Sequence, residues 1–259
     1  MARFSLFPDS PSMRQVFSAR SIRYRWRSGD PVVTVTIVIV CVAVWLVEFV
    51  FSYVWKGGLN AMLQFGMLQP AVAVREPWTF VTSMFLHDPR SIFHIGFNML
   101  TLWCVGPFLE RLMGHWEYLM LYMLSGIGGN AAMVAWAALT GSSNPYNWFT
   151  SCYGASGALF GLFAGCLVVY RKMHEDLRSM LIWMGINFLM PLVIPDIAWQ
   201  AHLGGFIVGG LATMLVVDGL PPLRRRSVMT RMVVYGLALF VLLVLVVLFS
   251  NMANPLRLL

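Results

Sequence analysis

Long apolar runs alternate with short polar breaks along this chain, and the runs fix its architecture. They cover Val32–Trp55, Ser91–Leu112, His115–Leu139, Cys152–Tyr170, Leu177–Ile194, Ala198–Val217 and Arg231–Ser250. Each is about 18–24 residues, the length a helix needs to cross about 30 Å of hydrocarbon. The pattern predicts an all-α, polytopic membrane helix bundle of seven spans. Pro191 ends or kinks the fifth span, because proline cannot donate to the helical ladder. The first run is too long for a signal-peptide core and lacks a small-residue cleavage site, so it reads as a retained span.

One connection breaks the pattern. Residues 55–90 link spans one and two and carry Met62, Leu63, Phe65, Met67, Trp78 and Phe80, among other large apolar groups. A solvated loop would not hold so many. The segment is expected at the membrane interface or partly submerged, propped against the helices.

Composition agrees with the runs: 59% of residues are hydrophobic and 11% charged, against about a quarter charged in a soluble domain. The net charge of +7 suggests nucleic acid until its distribution is read. With a cytoplasmic N-terminus, fourteen of the eighteen basic residues fall on the inner side. They are Arg3, Arg14, Arg20, Arg23, Arg25 and Arg27 in the leader, then Arg111, Arg171, Lys172, Arg178, Arg224, Arg225, Arg226 and Arg231. The positive-inside rule therefore places residues 1–30 in the cytoplasm and the C-terminus outside, with no nucleic-acid partner. An arginine-rich leader also fits a mitochondrial transit peptide. Cys41, Cys104, Cys152 and Cys166 have neither disulfide nor zinc-site spacing, although Cys152 sits near an outer helix end where a thiol could react.

Polar groups inside spans are costly and face a bundle interior or a cavity. Those here are Glu48, His94, Asn98, Ser156, Asn187 and His202, with Asn130 in a glycine cluster. Spans two, four and six run from outside to inside. His94, Ser156 and His202 each lie roughly 5–7 Å below the outer helix ends at 1.5 Å per residue. Their types fit acyl-transfer chemistry. A serine hydroxyl needs a neutral imidazole to take its proton, and the oxyanion needs preorganised donors. His202 is the candidate base for Ser156. His94 and Asn98, on one helix face at i and i+4, are candidate donors beside the Ser156 N–H. Glycine stripes at Gly157, Gly161 and Gly165 and at Gly205 and Gly209 would let spans four and six approach closely. No acidic residue sits beside His202 at helical spacing, which makes this a dyad. Taken singly, each residue has a plainer role: Ser156 as packing, His94 and Asn98 as helix ties, His202 as a structural or proton-relay group. Glu48 is expected to bind backbone N–H groups of the outer loop, and Asn130 and Asn187 to tie helices.

The motifs Gly154-Ala155-Ser156-Gly157, Ala201-His202-Leu203-Gly204-Gly205 with Gly209, and His94-Ile95-Gly96-Phe97-Asn98, in this order, resemble the rhomboid intramembrane serine proteases. The resemblance covers residues 31–217 as a six-span core. Residues 218–259 would form a linker and the extra seventh helix that some members carry. It implies Ser156 as nucleophile, His202 as general base, and His94 and Asn98 at the oxyanion. Phe160 would pack on the histidine, and no metal or cofactor would be needed. It also implies single-span membrane substrates cut near the outer face and, for this chain, a bacterial inner membrane. Two positions depart from the pattern. The loop pair is Trp78-Thr79 rather than Trp-Arg, and Gln200 replaces a common glycine. Glu110-Arg111 resembles a family ion pair at the inner boundary. The competing readings are a non-catalytic binder or chaperone of transmembrane segments, and a small-solute or proton transporter. The transporter reading lacks an inverted repeat and a mid-membrane site.

Overall fold

The computed structural model describes residues 18–257, apart from 177, 179–180, 183 and 187–197. Most of the expected fifth span, with Asn187, Pro191 and Asp196, lies outside the described residues, as do Arg3 and Arg14.

The helices are α1 (Ala19–Ser28), α2 (Val32–Val54), α3 (Lys56–Gly66), α4 (Thr79–Thr82), α5 (Ile92–Met113), α6 (His115–Thr140), α7 (Ser156–Met173), α8 (Trp199–Asp218) and α9 (Val228–Ser250). Six of them are long and apolar enough to cross a membrane: α2, α5, α6, α7, α8, and α9 with its continuation to Ala253. Their ends follow local chemistry. Ser91 and Ser227 cap α5 and α9 by accepting the N–H of His94 and Thr230, which satisfies donors a first turn leaves open. Gly114, at φ 103°, turns the chain between α5 and α6, a conformation that glycine adopts without strain.

The bundle is built around α7 and α8. Residues Gly157–Cys166 are buried without a break, as expected of a helix apolar on every side. α8 packs most extensively against α7 and α6, and α9 lies mainly on α6. α2 and α9 keep large apolar side chains exposed, among them Leu46, Phe49, Val50, Leu237, Phe240 and Val241. In a chain of this composition that surface faces lipid.

The outer segment is structured, as its apolar content predicts. After α3, the chain forms an isolated antiparallel bridge between Leu68 and Cys152. It then enters α4 and the turn Ser83–Phe85, where Ser83 and Met84 are buried. Asn130 of α6 donates to the carbonyl of Phe80 (2.9 Å) and to Ser83 Oγ (2.9 Å), so it ties helix to loop. Glu48 Oε2 accepts the His87 N–H at 3.1 Å, the role expected of it. Trp78 donates to the Phe65 carbonyl and stacks on its ring, while Thr79 is buried with its hydroxyl on the Glu76 carbonyl. These local bonds hold the loop where the family pattern has arginine. From the far end of the chain, Asn254 donates to the Ala71 carbonyl and Arg75 to that of Leu256, so the end of α9 braces the same loop.

Three expectations change. Glu110 does not pair with Arg111: its carboxylate accepts the N–H groups of Val33 and Thr34 and the Thr34 hydroxyl, and contacts His115 Nδ1 at 2.6 Å. It caps the first turn of α2, where negative charge meets unsatisfied N–H donors. Span four begins at Ser156 rather than Cys152, because the Leu68 bridge holds Cys152 extended. Cys152 is also buried, which pushes its thiol up to about 12 and makes it unreactive.

Candidate active site

The turn into α7 is set by Gly154, at φ 124°, which few residues with a side chain tolerate. Its N–H donates to the Ser83 carbonyl at 2.8 Å, anchoring the turn to the outer loop. Ala155 caps the helix and Ser156 opens it, so the Ser156 N–H is among the donors that no helical carbonyl takes.

Glycines bring α8 onto this turn. A Cβ on Gly205 would overlap the Gly157 carbonyl oxygen, and one on Gly209 the backbone of Gly161. α6 joins the same contact: a Cβ on Gly129 would lie 2.6 Å from the Ala201 carbonyl oxygen. Backbones this close leave a short reach between side chains. His202 Nε2 lies 2.8 Å from Ser156 Oγ. Phe160, one turn into α7, stacks on the imidazole with ring centres 4.2 Å apart and 18° between planes. Both His202 and Phe160 are buried. His202 Nδ1 is buried with no hydrogen-bond partner, and hence no orienting carboxylate, among the described residues. The aromatic stack and the hydroxyl orient the ring instead.

His94 and Asn98 line the other side. His94 Nδ1 accepts the backbone N–H of Asp88 at 3.1 Å, which leaves the ring proton on Nε2. A Cβ on Gly154 would lie 2.9 Å from His94 Nε2 and 3.9 Å from Ser156 Oγ. The missing side chain of Gly154 thus leaves open the gap between a ring donor and the serine hydroxyl. Tyr153 meets the His94 ring edge-on at 6.0 Å and His87 lies 5.2 Å from it. Asn98 is buried and donates one amide N–H to the His94 carbonyl at 2.8 Å, which leaves its second N–H free to donate.

The four candidate residues sit on three helices: His94 and Ser156 meet at Gly154, His202 contacts Ser156, and Asn98 is bonded to the His94 carbonyl. The sequence reading passed over His87, buried in the outer loop beside His94, and the α6 glycines Gly128 and Gly129. A glycine run beside Asn130 was the available signal for the latter. For His87 the signal was an ionisable residue directly after the apolar run Met84–Leu86 of a loop expected to pack on helices.

The arrangement offers a hydroxyl, a base in contact with it, and N–H donors across a small gap. The chain is also similar to known proteins. The Rhomboid domain model matches residues 74–219. The chain is 31% identical over 175 residues to Rhomboid-type serine protease 2 of Emericella nidulans, covering 64% of this chain and 32% of that protein. It is 30% identical over 204 residues to Rhomboid protease GluP of Bacillus subtilis, covering 76% of this chain and 36% of the relative. With Rhomboid protease AarA of Providencia stuartii it shares 25% identity over 222 residues, 78% of each chain. The chain thus spans about a third of the length of the first two and most of the third. It is an integral membrane protein with six apolar helices of spanning length among its described residues, and it belongs to the rhomboid family.

Proposed function

We propose that this protein is a serine-type intramembrane endopeptidase that cuts single-span membrane proteins in or near their transmembrane segments. The observation that carries the reading is the 2.8 Å contact between Ser156 Oγ and His202 Nε2 inside a helix bundle. The names of the relatives, which are rhomboid proteases, support the reaction class.

Ser156 Oγ attacks the scissile carbonyl carbon as His202 Nε2 takes its proton. The developing oxyanion is met by the N–H of Ser156, the His94 Nε2–H and the second N–H of Asn98. Fixed donors of this kind are typically worth about 2.7–4 kcal/mol each in the transition state. The imidazolium then gives its proton to the leaving amine, and the acyl-enzyme ester forms. Water, deprotonated by the same nitrogen, attacks that ester and releases Ser156. With no carboxylate on Nδ1 among the described residues, His202 works as the second member of a dyad. The phenyl face of Phe160 steadies the ring in both charge states. No metal or cofactor takes part.

The distribution of basic residues supports a cytoplasmic N-terminus and an outward-facing site, and the membrane we assign is a bacterial inner membrane. The test is cleavage of a model single-span substrate in proteoliposomes. Ser156→Ala and His202→Ala are expected to lose activity by about 10³-fold or more. Cleavage that persists in Ser156→Ala contradicts the reading.

A further inference from the structure

His94 is held in its donating form by a single backbone N–H, that of Asp88. A neutral imidazole has one donor and one acceptor nitrogen, and the bond on one fixes the role of the other. The peptide that supplies this N–H lies in the outer loop, where a helix does not fix it. Two side chains of α2 instead hold the peptides on either side of it. Trp45 Nε1–H donates to the Asp88 carbonyl at 3.1 Å, and Glu48 Oε2 accepts the N–H of His87 at 3.1 Å. Trp45 and Glu48 are i and i+3 and share one helix face. They grip the segment 87–88 from both sides, and Glu48 is fully buried at this point.

We infer that Trp45 and Glu48 are positioning residues that set the tautomer of His94. By holding the two peptides that flank the 87–88 peptide they aim the Asp88 N–H at His94 Nδ1, which keeps the Nε2–H pointed into the gap beside Ser156. This rests on the proposed oxyanion role of His94 and extends it to a helix that contributes nothing else to the site. It also gives a function to a buried carboxylate far from the dyad. An unpaired carboxylate is costly to bury, and Glu48 Oε1 has no partner among the described residues.

The tautomer is read directly. Nitrogen-15 spectra of the histidine-labelled full chain in detergent micelles distinguish proton-bearing from bare ring nitrogens, and a His94→Gln sample assigns the His94 signals. In the wild type, Nδ1 is expected to be bare and Nε2 protonated; the reverse pattern overturns the inference without bearing on the dyad. Trp45→Phe and Glu48→Leu are each expected to mix the His94 tautomers. In substrate cleavage both should lower kcat about tenfold with KM within twofold, while Glu48→Gln, which keeps an acceptor oxygen, restores most of the rate. If both breaking variants keep the wild-type tautomer and kcat, Trp45 and Glu48 are structural only. Loss of all Ser156-dependent activity in the wild type would instead overturn the protease reading, and the His94 spectrum would still decide the tautomer.

Discussion

At the scale of single residues, the site depends on nitrogens whose roles are set by one bond each. Asn98 spends one N–H on the His94 carbonyl, a bond that fixes the direction of the other. Asn98→Ala is expected to lower kcat by about 10²-fold, the typical cost of one oxyanion donor, with the melting temperature nearly unchanged. An unchanged kcat would remove Asn98 from the oxyanion site. His87 makes a different prediction. Burial first, and the neighbouring His94 second, lower its pKa from 6.5 to about 3. The unfolded chain takes up this proton near pH 6.5 and the folded chain only near 3. Stability from neutral His87 is therefore complete above about pH 6.5 and is lost as pH falls through the window below it. Melting curves from pH 7 to 4 should show a shallower decline for His87→Leu than for the wild type. Parallel curves would contradict it.

At the scale of elements, the close approach of α7 and α8 sets the reach of the dyad, and it depends on hydrogen in place of side chains. A Cβ at Gly205 has no room beside the Gly157 carbonyl, whereas one at Gly236 of α9 meets nothing within 4 Å. Gly205→Ala should push α8 away and cost more than about 10²-fold in cleavage rate, since a misplacement of about 1 Å is enough for that. Gly236→Ala should leave it unchanged. Equal activity in the two would mean that the stripe does not set the distance.

Much of this was legible beforehand. A 3.6-residue helix fixes the depth of each polar residue, so His94, Ser156 and His202 could be placed at one level and the glycine stripes read as contacts. The turn chemistry was not legible. Nothing in Cys152-Tyr153-Gly154 announces a bridge to Leu68, and that bridge delays the helix to Ser156. Glu110 misled for a related reason. Its sequence neighbour Arg111 is on the exposed side of α5, while its partners at Val33 and Thr34 are 77 and 76 residues away.

At the scale of the whole molecule, the basic residues collect at one end of the bundle, which is what the proposed orientation requires. The basic residues at the ends of α7 and α9 and in α1 gather at the side of Glu110 and His115, opposite Ser156. Alkaline phosphatase fused after Arg257 is expected to be active in a bacterial host, and the same enzyme fused after Asp176 inactive. The reverse pair would invert the proposed topology. The bundle meanwhile holds half-buried Ser156 and buried His202 between α7 and α8 and leaves α2 and α9 to face lipid, with the outer loop clamped from both.

The central claim is that His202 makes Ser156 a nucleophile. Labelling by a fluorophosphonate probe in native membranes tests it most directly, because the probe reacts only with an activated serine. Covalent labelling of the wild type is expected, with none in Ser156→Ala and strong loss in His202→Ala. A wild-type protein that stays unlabelled, or a Ser156→Ala variant that labels equally, would contradict it.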